Sequence, residues 1–294
     1  MPPNSASTET MTDHPEVLYK YFRPQRAAVL ANLELCFARL STFNDPFEGR
    51  PYIRPTLIES VRSKLAGAFD DLDSRYDDLD AGLRGKLSRE SFKQAMRAMG
   101  PSFIERKSLE ALPIFDRAMR DFAGQVEKNL GVLCLTEEHD HPLMWAHYAE
   151  SHTGFVIAFD AANAFFDRRV SAKDELRHLR RVRYRNRRPA ISTEEASGAD
   201  LLFCKSDHWA YEKEWRMALP LTAADNILSL EAGPVHLYRY PPEAMKAVYL
   251  GMRASPETEK TLRASLASLP ALAHVTLHRM ELDEIRYELN DRPA

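Results

Sequence analysis

The sequence predicts an α+β fold: a mixed, mainly antiparallel sheet of short strands with short helices and an inserted helical lobe. Three observations predict it. Apolar residues alternate in many short runs along the chain, the mark of half-buried strands. Short helical windows separate those runs without the regular strand–helix alternation of a doubly wound sheet. Residues 55–130, by contrast, place their apolar positions three and four apart, as an amphipathic helix does.

In chain order, residues 17–22 read as a strand. Pro24 then opens a short helix to about residue 31, since proline suits a first helical turn. Residues 33–39 set Leu33, Leu35 and Phe37 against Glu34, Cys36 and Ala38, giving a second strand. The loop 41–49 mixes turn formers with Asp45, Glu48 and two phenylalanines. Helical spacing follows at Leu57, Val61, Leu65 and Phe69, at Phe92, Ala95, Met96 and Met99, and at Phe115, Met119, Phe122 and Val126. The acidic stretch 70–80 reads as a linker or helix start, because it lacks the glycine and closing glutamate of a calcium loop. A third strand is expected over 132–135, a helix over 142–149 and a fourth strand over 155–159. A short helix over 160–166 would be capped by Asp160. Seven arginines fall within 177–188, with Val182 and Tyr184 between them, as on a strand with one basic face. Further strands are predicted over 212–219, 227–230, 235–240, 247–251 and 275–280, with a helix over 256–269 that stops before Pro270.

Residues 1–16 are polar and read as a disordered tail, without the basic and apolar segments of a secretory signal. Residues 17–288 read as a single α+β domain with 55–130 as a helical insertion. A net charge of −3 gives no overall bias toward nucleic acid or an anionic membrane. No apolar run is long enough to span a bilayer, so no membrane partner is expected. The three cysteines (Cys36, Cys134 and Cys204) are too few for a disulfide framework and read as small core residues of a cytoplasmic protein.

Several chemistries are excluded by what is missing. No Gly-x-Gly-x-x-Gly occurs, and the glycines of Gly82-Leu83-Arg84-Gly85-Lys86 stand too close together for a phosphate loop. No Gly-x-Ser-x-Gly elbow exists, and nothing near Cys204 and His208 organises a third partner for a nucleophile. His139, His141, His147 and His152 crowd together but without helical ligand spacing, so they read as hydrogen-bonding turn residues and no metal ligand is assigned.

The densest stretch is 205–216. Alternation there sets Glu212, Glu214 and Arg216 on one face and Lys213, Trp215 and Met217 on the other. Charges beside large aromatics need partners, either in a structural network or around a ligand. Three clusters are expected to converge on one cleft: Tyr19, Lys20 and Tyr21 with Asn44, Asp45 and Glu48; Trp145 with Tyr148; and Lys205, Trp209, Tyr211 and Arg216 with the two glutamates. In the structural alternative, Trp145, Tyr148, Trp209 and Trp215 are core residues with the charges paired at its rim. The run from Arg180 to Arg188 is the candidate contact for nucleic acid.

Leu18-Tyr19-Lys20-Tyr21, Phe43-Asn44-Asp45-Pro46-Phe47-Glu48, Met144-Trp145-Ala146-His147-Tyr148-Ala149, His152-Thr153-Gly154-Phe155 and Trp209-Ala210-Tyr211-Glu212-Lys213-Glu214-Trp215-Arg216 together resemble the bacterial family called domain of unknown function 2971, over about residues 17–288. That family name implies no activity. The chain also resembles, more loosely, the ADP-ribosyltransferase-like proteins, which include DNA-modifying toxins of toxin–antitoxin pairs. They join an early strand bearing His, Arg or a similar residue to a late glutamate. Tyr19-Lys20-Tyr21 takes the early position here, and Glu212-Lys213-Glu214 is similar to their Glu-x-Glu. This resemblance implies an ADP-ribosyltransferase-like fold, NAD as co-substrate, and a toxin or phage-defence effector. It makes Glu214 the first catalytic candidate and Glu212 the second, stabilising an oxocarbenium-like ribose. Trp209 or Tyr148 would stack the nicotinamide, and Lys20 or Arg216 would meet the pyrophosphate. The competing readings are a non-enzymatic module binding a nucleotide or peptide, and a metal-dependent nuclease-like effector built on Asp45, Glu48, Glu212 and Glu214.

Overall fold

The computed structural model describes residues 14–50, 55–67, 69–188, 199, 202–231 and 233–294, with no side-chain description for 55–58. The expected tail 1–16 lies, up to residue 13, outside the described residues. The architecture is α+β. Described residues within 1–48, 127–187 and 202–294 form one compact unit, and those within 49–126 and 188–201 form a second.

The first unit is built on thirteen strands, which are β1 (Val17–Phe22), β2 (Glu34–Phe37), β3 (Leu130–Thr136), β4 (Phe155–Asp160), β5 (Arg180–Arg181), β6 (Arg183–Arg185), β7 (Cys204–Ser206), β8 (Glu214–Pro220), β9 (Asn226–Leu230), β10 (Gly233–Arg239), β11 (Met245–Leu250), β12 (Thr276–Leu282) and β13 (Leu289–Pro293). Eight of them make the main sheet, in the order β13-β12-β11-β4-β1-β3-β8-β5. Every pairing in that sheet is antiparallel except β11 with β12. A second, antiparallel sheet runs β2-β10-β9, and β6 pairs parallel to β7.

Strand sequence dictates which layer each residue enters. Phe155, Ile157 and Phe159 of β4 point into the larger core, shared with Leu18, Trp215, Met217, Leu35, Phe37 and Tyr238. Val156 points the other way, into a smaller core with Tyr21, Met144, Trp145, Met280 and Leu289. Three α-helices accompany these strands, α1 (Ala28–Asn32), α6 (Pro142–Tyr148) and α7 (Pro256–Ser268), and the last residues of the long α5 (Arg89–Asn129) lead into β3. Leu30 of α1 and Leu262 of α7 close the larger core, while α6 supplies Met144 and Trp145 to the smaller one.

The second unit is helical, as the spacing predicts: α2 (Pro55–Gly67), α3 (Leu72–Asp77), α4 (Ala81–Lys86) and most of α5. Its acidic stretch supplies helix caps. Asp71 accepts from the Ser74 amide and Asp80 from the Gly82 and Leu83 amides, which satisfies amides that a helix start leaves open. The Phe92 and Phe115 groups lie on one helix, which runs on through Pro101 and Pro113.

Three expectations change. The strand predicted from residue 212 starts at Glu214, because Asp207–Glu212 is a 3-10 helix and Lys213 takes a left-handed backbone, φ 41°. Lys213 therefore leaves the Trp215 and Met217 face and pairs with Glu138. The helix predicted from Asp160 is a single 3-10 turn, Ala164–Phe166, capped by Asn163. Sequence reading also missed β13, whose polar residues show no alternation.

Backbone packing is closest where β1 ends. A Cβ added to Gly154 would lie 2.0 Å from the Phe22 carbonyl oxygen, and one on Gly251 would lie 2.1 Å from that of His152. Gly154→Ala is therefore expected to cost about 2–3 kcal/mol of stability in urea denaturation, since backbone and not a side chain must move. A cost within about 0.5 kcal/mol would show that this corner yields.

Candidate functional site

A pocket of about 330 Å³ lies in the first unit. It forms where β1 and β3 diverge: their only register pair is Tyr19 with Thr136, and residues of both strands beyond that pair line the cavity. Tyr19, Lys20 and Tyr21 enter from β1, Asn44 from the loop after β2, Tyr148 from α6, and Lys205, Glu212 and Glu214 from the segment around β8. Segments more than a hundred residues apart thus meet at one cavity, each of the three clusters contributing some of its residues and not others.

Beneath it lies a buried charge network whose hub is Arg216, with no exposed surface. Its Nε and Nη2 donate to the two oxygens of Glu214 at 2.7 and 2.8 Å, a bidentate fork. Nη2 also donates to Glu48 at 2.9 Å, Nη1 donates to the Leu202 carbonyl at 2.7 Å, and the guanidinium lies 5.2 Å from the Phe43 ring. Lys205 Nζ is the second cation. It donates to Glu212 at 2.5 Å and Glu214 at 3.2 Å, and lies 3.4 Å from Glu48 and 4.9 Å from the Trp209 ring centre. Such a set is tolerable away from water only because every charge has opposite charges against it.

Local backbone explains how both glutamates reach this place. Ser206 caps the 3-10 helix Asp207–Glu212, and the left-handed Lys213 ends it. That turn hands Glu212 back to the side occupied by Glu214. Thr136 Oγ1 donates to the Glu212 carbonyl at 2.5 Å, and the Glu214 amide donates to the Tyr184 hydroxyl at 2.8 Å, so side chains hold the backbone at both residues.

The two acids differ in character. Burial would push the Glu214 carboxyl up, but Arg216 and then Lys205 outweigh it and hold the group at about 2. Burial pushes Glu212 up, Lys205 pulls it down, Glu214 pushes it up again, and the net shift is upward. Tyr148 donates its hydroxyl to Glu212 at 2.5 Å and accepts from Asn44 at 3.1 Å. Burial, the largest cause, raises the Tyr148 hydroxyl, which keeps it a donor. Cys134, lining the pocket, is raised by burial and then by Glu214, so its thiol stays neutral and a poor nucleophile.

Other predicted site residues stand behind or beside the cavity. Trp145 is fully buried in the smaller core, its indole N–H given to the His139 carbonyl at 2.7 Å. Asp45 is buried and accepts from the Phe47 amide at 2.9 Å, which shapes the loop. Tyr211 stacks on His141 at 5.1 Å, and Trp209 sits edge-on to His147 at 6.1 Å. Arg216 and Glu48 belong to the buried network. A pyrophosphate contact by Arg216 is thus corrected: its donors are spent on Glu214, Glu48 and Leu202. The carboxylates named for a metal-dependent nuclease are likewise held by Lys205 and Arg216, Asp45 excepted, and among the described residues no three His, Cys, Asp or Glu side chains are grouped to hold an ion.

The basic run is not one face of one strand. It is split between β5 and β6, with Arg180 3.7 Å from Glu175 and lying over Phe203, and Arg181 3.5 Å from Glu137. Pocket residues that sequence reading left unassigned include Arg23, Phe43, Thr136 and Cys134. Phe43 opens the Asn44 motif but was given no role, and the other three lie in no motif; the pairing of distant strands brings them in.

Residues 144–217 match the family described as "Protein of unknown function (DUF2971)". That match spans about a quarter of the chain. No curated protein and no solved structure matches the chain. The DUF2971 segment runs from Met144 in α6 to Met217 in β8. It therefore holds Tyr148, Lys205, Glu212, Glu214 and Arg216, while Tyr19, Lys20, Asn44 and Glu48 come from outside it. No helix among the described residues is long and apolar enough to cross a membrane.

The network makes stability depend on acid pH in a defined direction. A carboxyl held at about 2 rather than its ordinary 4.5 stabilises the fold in full above 4.5, and that contribution is lost as pH falls through about 2. Glu212 works in the opposite sense, because its raised carboxyl favours the fold most when protonated. Urea denaturation between pH 4.5 and 2 is expected to show a loss on the order of 3 kcal/mol from Glu214 alone. In Glu214→Gln that part of the slope should vanish; an unchanged slope would mean Glu214 is not held by Arg216.

Proposed function

We propose that the protein is an NAD-cleaving enzyme of ADP-ribosyltransferase or NAD glycohydrolase type, acting in the pocket of the first unit, with Glu212 as the essential acid. One observation carries the reading: a buried carboxylate lines an aromatic-walled cavity and is flanked by donors, Tyr148 on one oxygen and Lys205 on the other. Both donors favour the ionised form, which burial alone would disfavour. Breaking the bond between nicotinamide and ribose builds positive charge on the ribose, and an ionised carboxylate beside it lowers that barrier. The bonding electrons leave with nicotinamide, and water or another nucleophile then takes the ribose carbon and gives up a proton.

Glu214 also reaches the cavity wall, but its oxygens are held by Arg216 and Lys205. It serves better to position Lys205 than to meet substrate. Tyr19, Tyr21 and Tyr148 offer ring faces or edges for a planar base. A nucleic-acid acceptor would draw on the exposed Arg185 and Arg187. A role as toxin or phage-defence effector would follow from NAD depletion.

A second reading has its own support. Both Glu212 oxygens already have protein donors, as in a finished structural network, which fits a pocket that binds a nucleotide without cleaving it. NAD consumption by the purified chain, alone and with DNA, RNA or cell extract, separates the two. The enzyme reading predicts consumption in at least one condition, lowered about a hundredfold or more in Glu212→Gln with the melting temperature retained. No consumption in any condition, or an equal rate in Glu212→Gln, overturns it in favour of binding alone.

A further inference from the structure

The charges around the pocket do not balance. Glu48, Glu212 and Glu214 carry three negative charges, against two positive charges on Lys205 and Arg216. These two cations sit among acids in excess, and their donors are directed at those acids. An anionic ligand group placed beside them would meet the surplus carboxylate charge.

Two other cations line the same cavity, Lys20 and Arg23. Neither lies within ion-pair distance of a carboxylate among the described residues. Lys20 gives one hydrogen bond, to the Cys134 carbonyl at 3.0 Å, and an ammonium has three donors. Arg23 has an exposed side chain on a fixed stretch of backbone. Pro24 follows it, its carbonyl accepts from the Arg26 amide at 3.0 Å, and the carbonyl of Phe22 before it is packed against Gly154. A planar fork and a point charge that line one cavity suit the oxygens of a phosphate.

We propose that Lys20 and Arg23 form a phosphate subsite at this pocket, so that it selects a phosphorylated nucleoside over the same nucleoside without phosphate. The proposal rests on reading the pocket as a nucleotide site, but not on any turnover there. Arg23 lies outside the DUF2971 segment and outside every motif read in the sequence.

Calorimetry on the full chain tests it with reduced nicotinamide mononucleotide and reduced nicotinamide riboside. The two differ only in the phosphate, and neither holds the pyridinium bond that the proposed reaction breaks. The mononucleotide is expected to bind at least about tenfold tighter, with the difference shrinking as salt is added. Arg23→Gln and Lys20→Gln should each remove most of the preference while riboside affinity stays within about twofold. Equal affinity for the two ligands overturns the subsite, as does an undiminished preference in Arg23→Gln or no binding of the mononucleotide. Inorganic pyrophosphate binding as tightly as the mononucleotide also overturns it, because the site would then serve a free anion. A protein that keeps the phosphate preference yet consumes no NAD retains the subsite and loses only the enzyme reading.

Discussion

The bidentate pair between Arg216 and Glu214 governs the arrangement of the first unit around its pocket. A guanidinium with no solvent contact cannot stand without carboxylates, and a fully buried carboxylate cannot stand without cations. Satisfying both recruits Glu48 from the loop after β2, Lys205 from β7, and Glu212 from the 3-10 helix before β8. Each of those contacts fixes a separate chain segment. The cavity lies among the segments that the network ties together.

That arrangement divides labour between two acids two residues apart. Glu214 is locked by Arg216 and lies at about 2, so it is a permanent anion that holds Lys205 in place. Glu212 is raised by burial, shares Lys205, and takes its last donor from Tyr148 at the cavity. Pairs of titratable groups pushed apart by their surroundings are a recurrent feature of sites that do chemistry. The pairing also separates the two candidates: Glu214 is tied to both cations, while Glu212 shares Lys205 and takes a second donor from Tyr148.

Much of this was legible in the sequence, for reasons that individual residues make plain. Period-two alternation places Glu214 and Arg216 together opposite Trp215 and Met217, and the larger core takes the latter pair. The density of charge and aromatic residues in 205–216, in the Asn44 loop and in β1 marked the segments that meet. Other features were hidden because they depend on pairing between distant strands. Arg23, Thr136 and Cys134 carry no motif and line the cavity only because β1 and β3 diverge after Tyr19 and Thr136. The left-handed turn at Lys213 was hidden too, since glycine usually marks such a backbone and lysine does not. Trp145 misled in the other direction: its ring looked like a pocket wall and is a core residue.

One acid at the pocket is held down as an anion while its neighbour is raised. Titration of the glutamate side-chain carboxyl carbons by nuclear magnetic resonance, assigned by comparing wild type with Glu212→Gln and Glu214→Gln, measures this directly. One carboxyl is expected to titrate near 2 and to be absent from Glu214→Gln, and another above the ordinary glutamate value and absent from Glu212→Gln. Two carboxyls titrating together at the ordinary value would contradict it, because they would belong to solvent and not to a buried network at the base of a site.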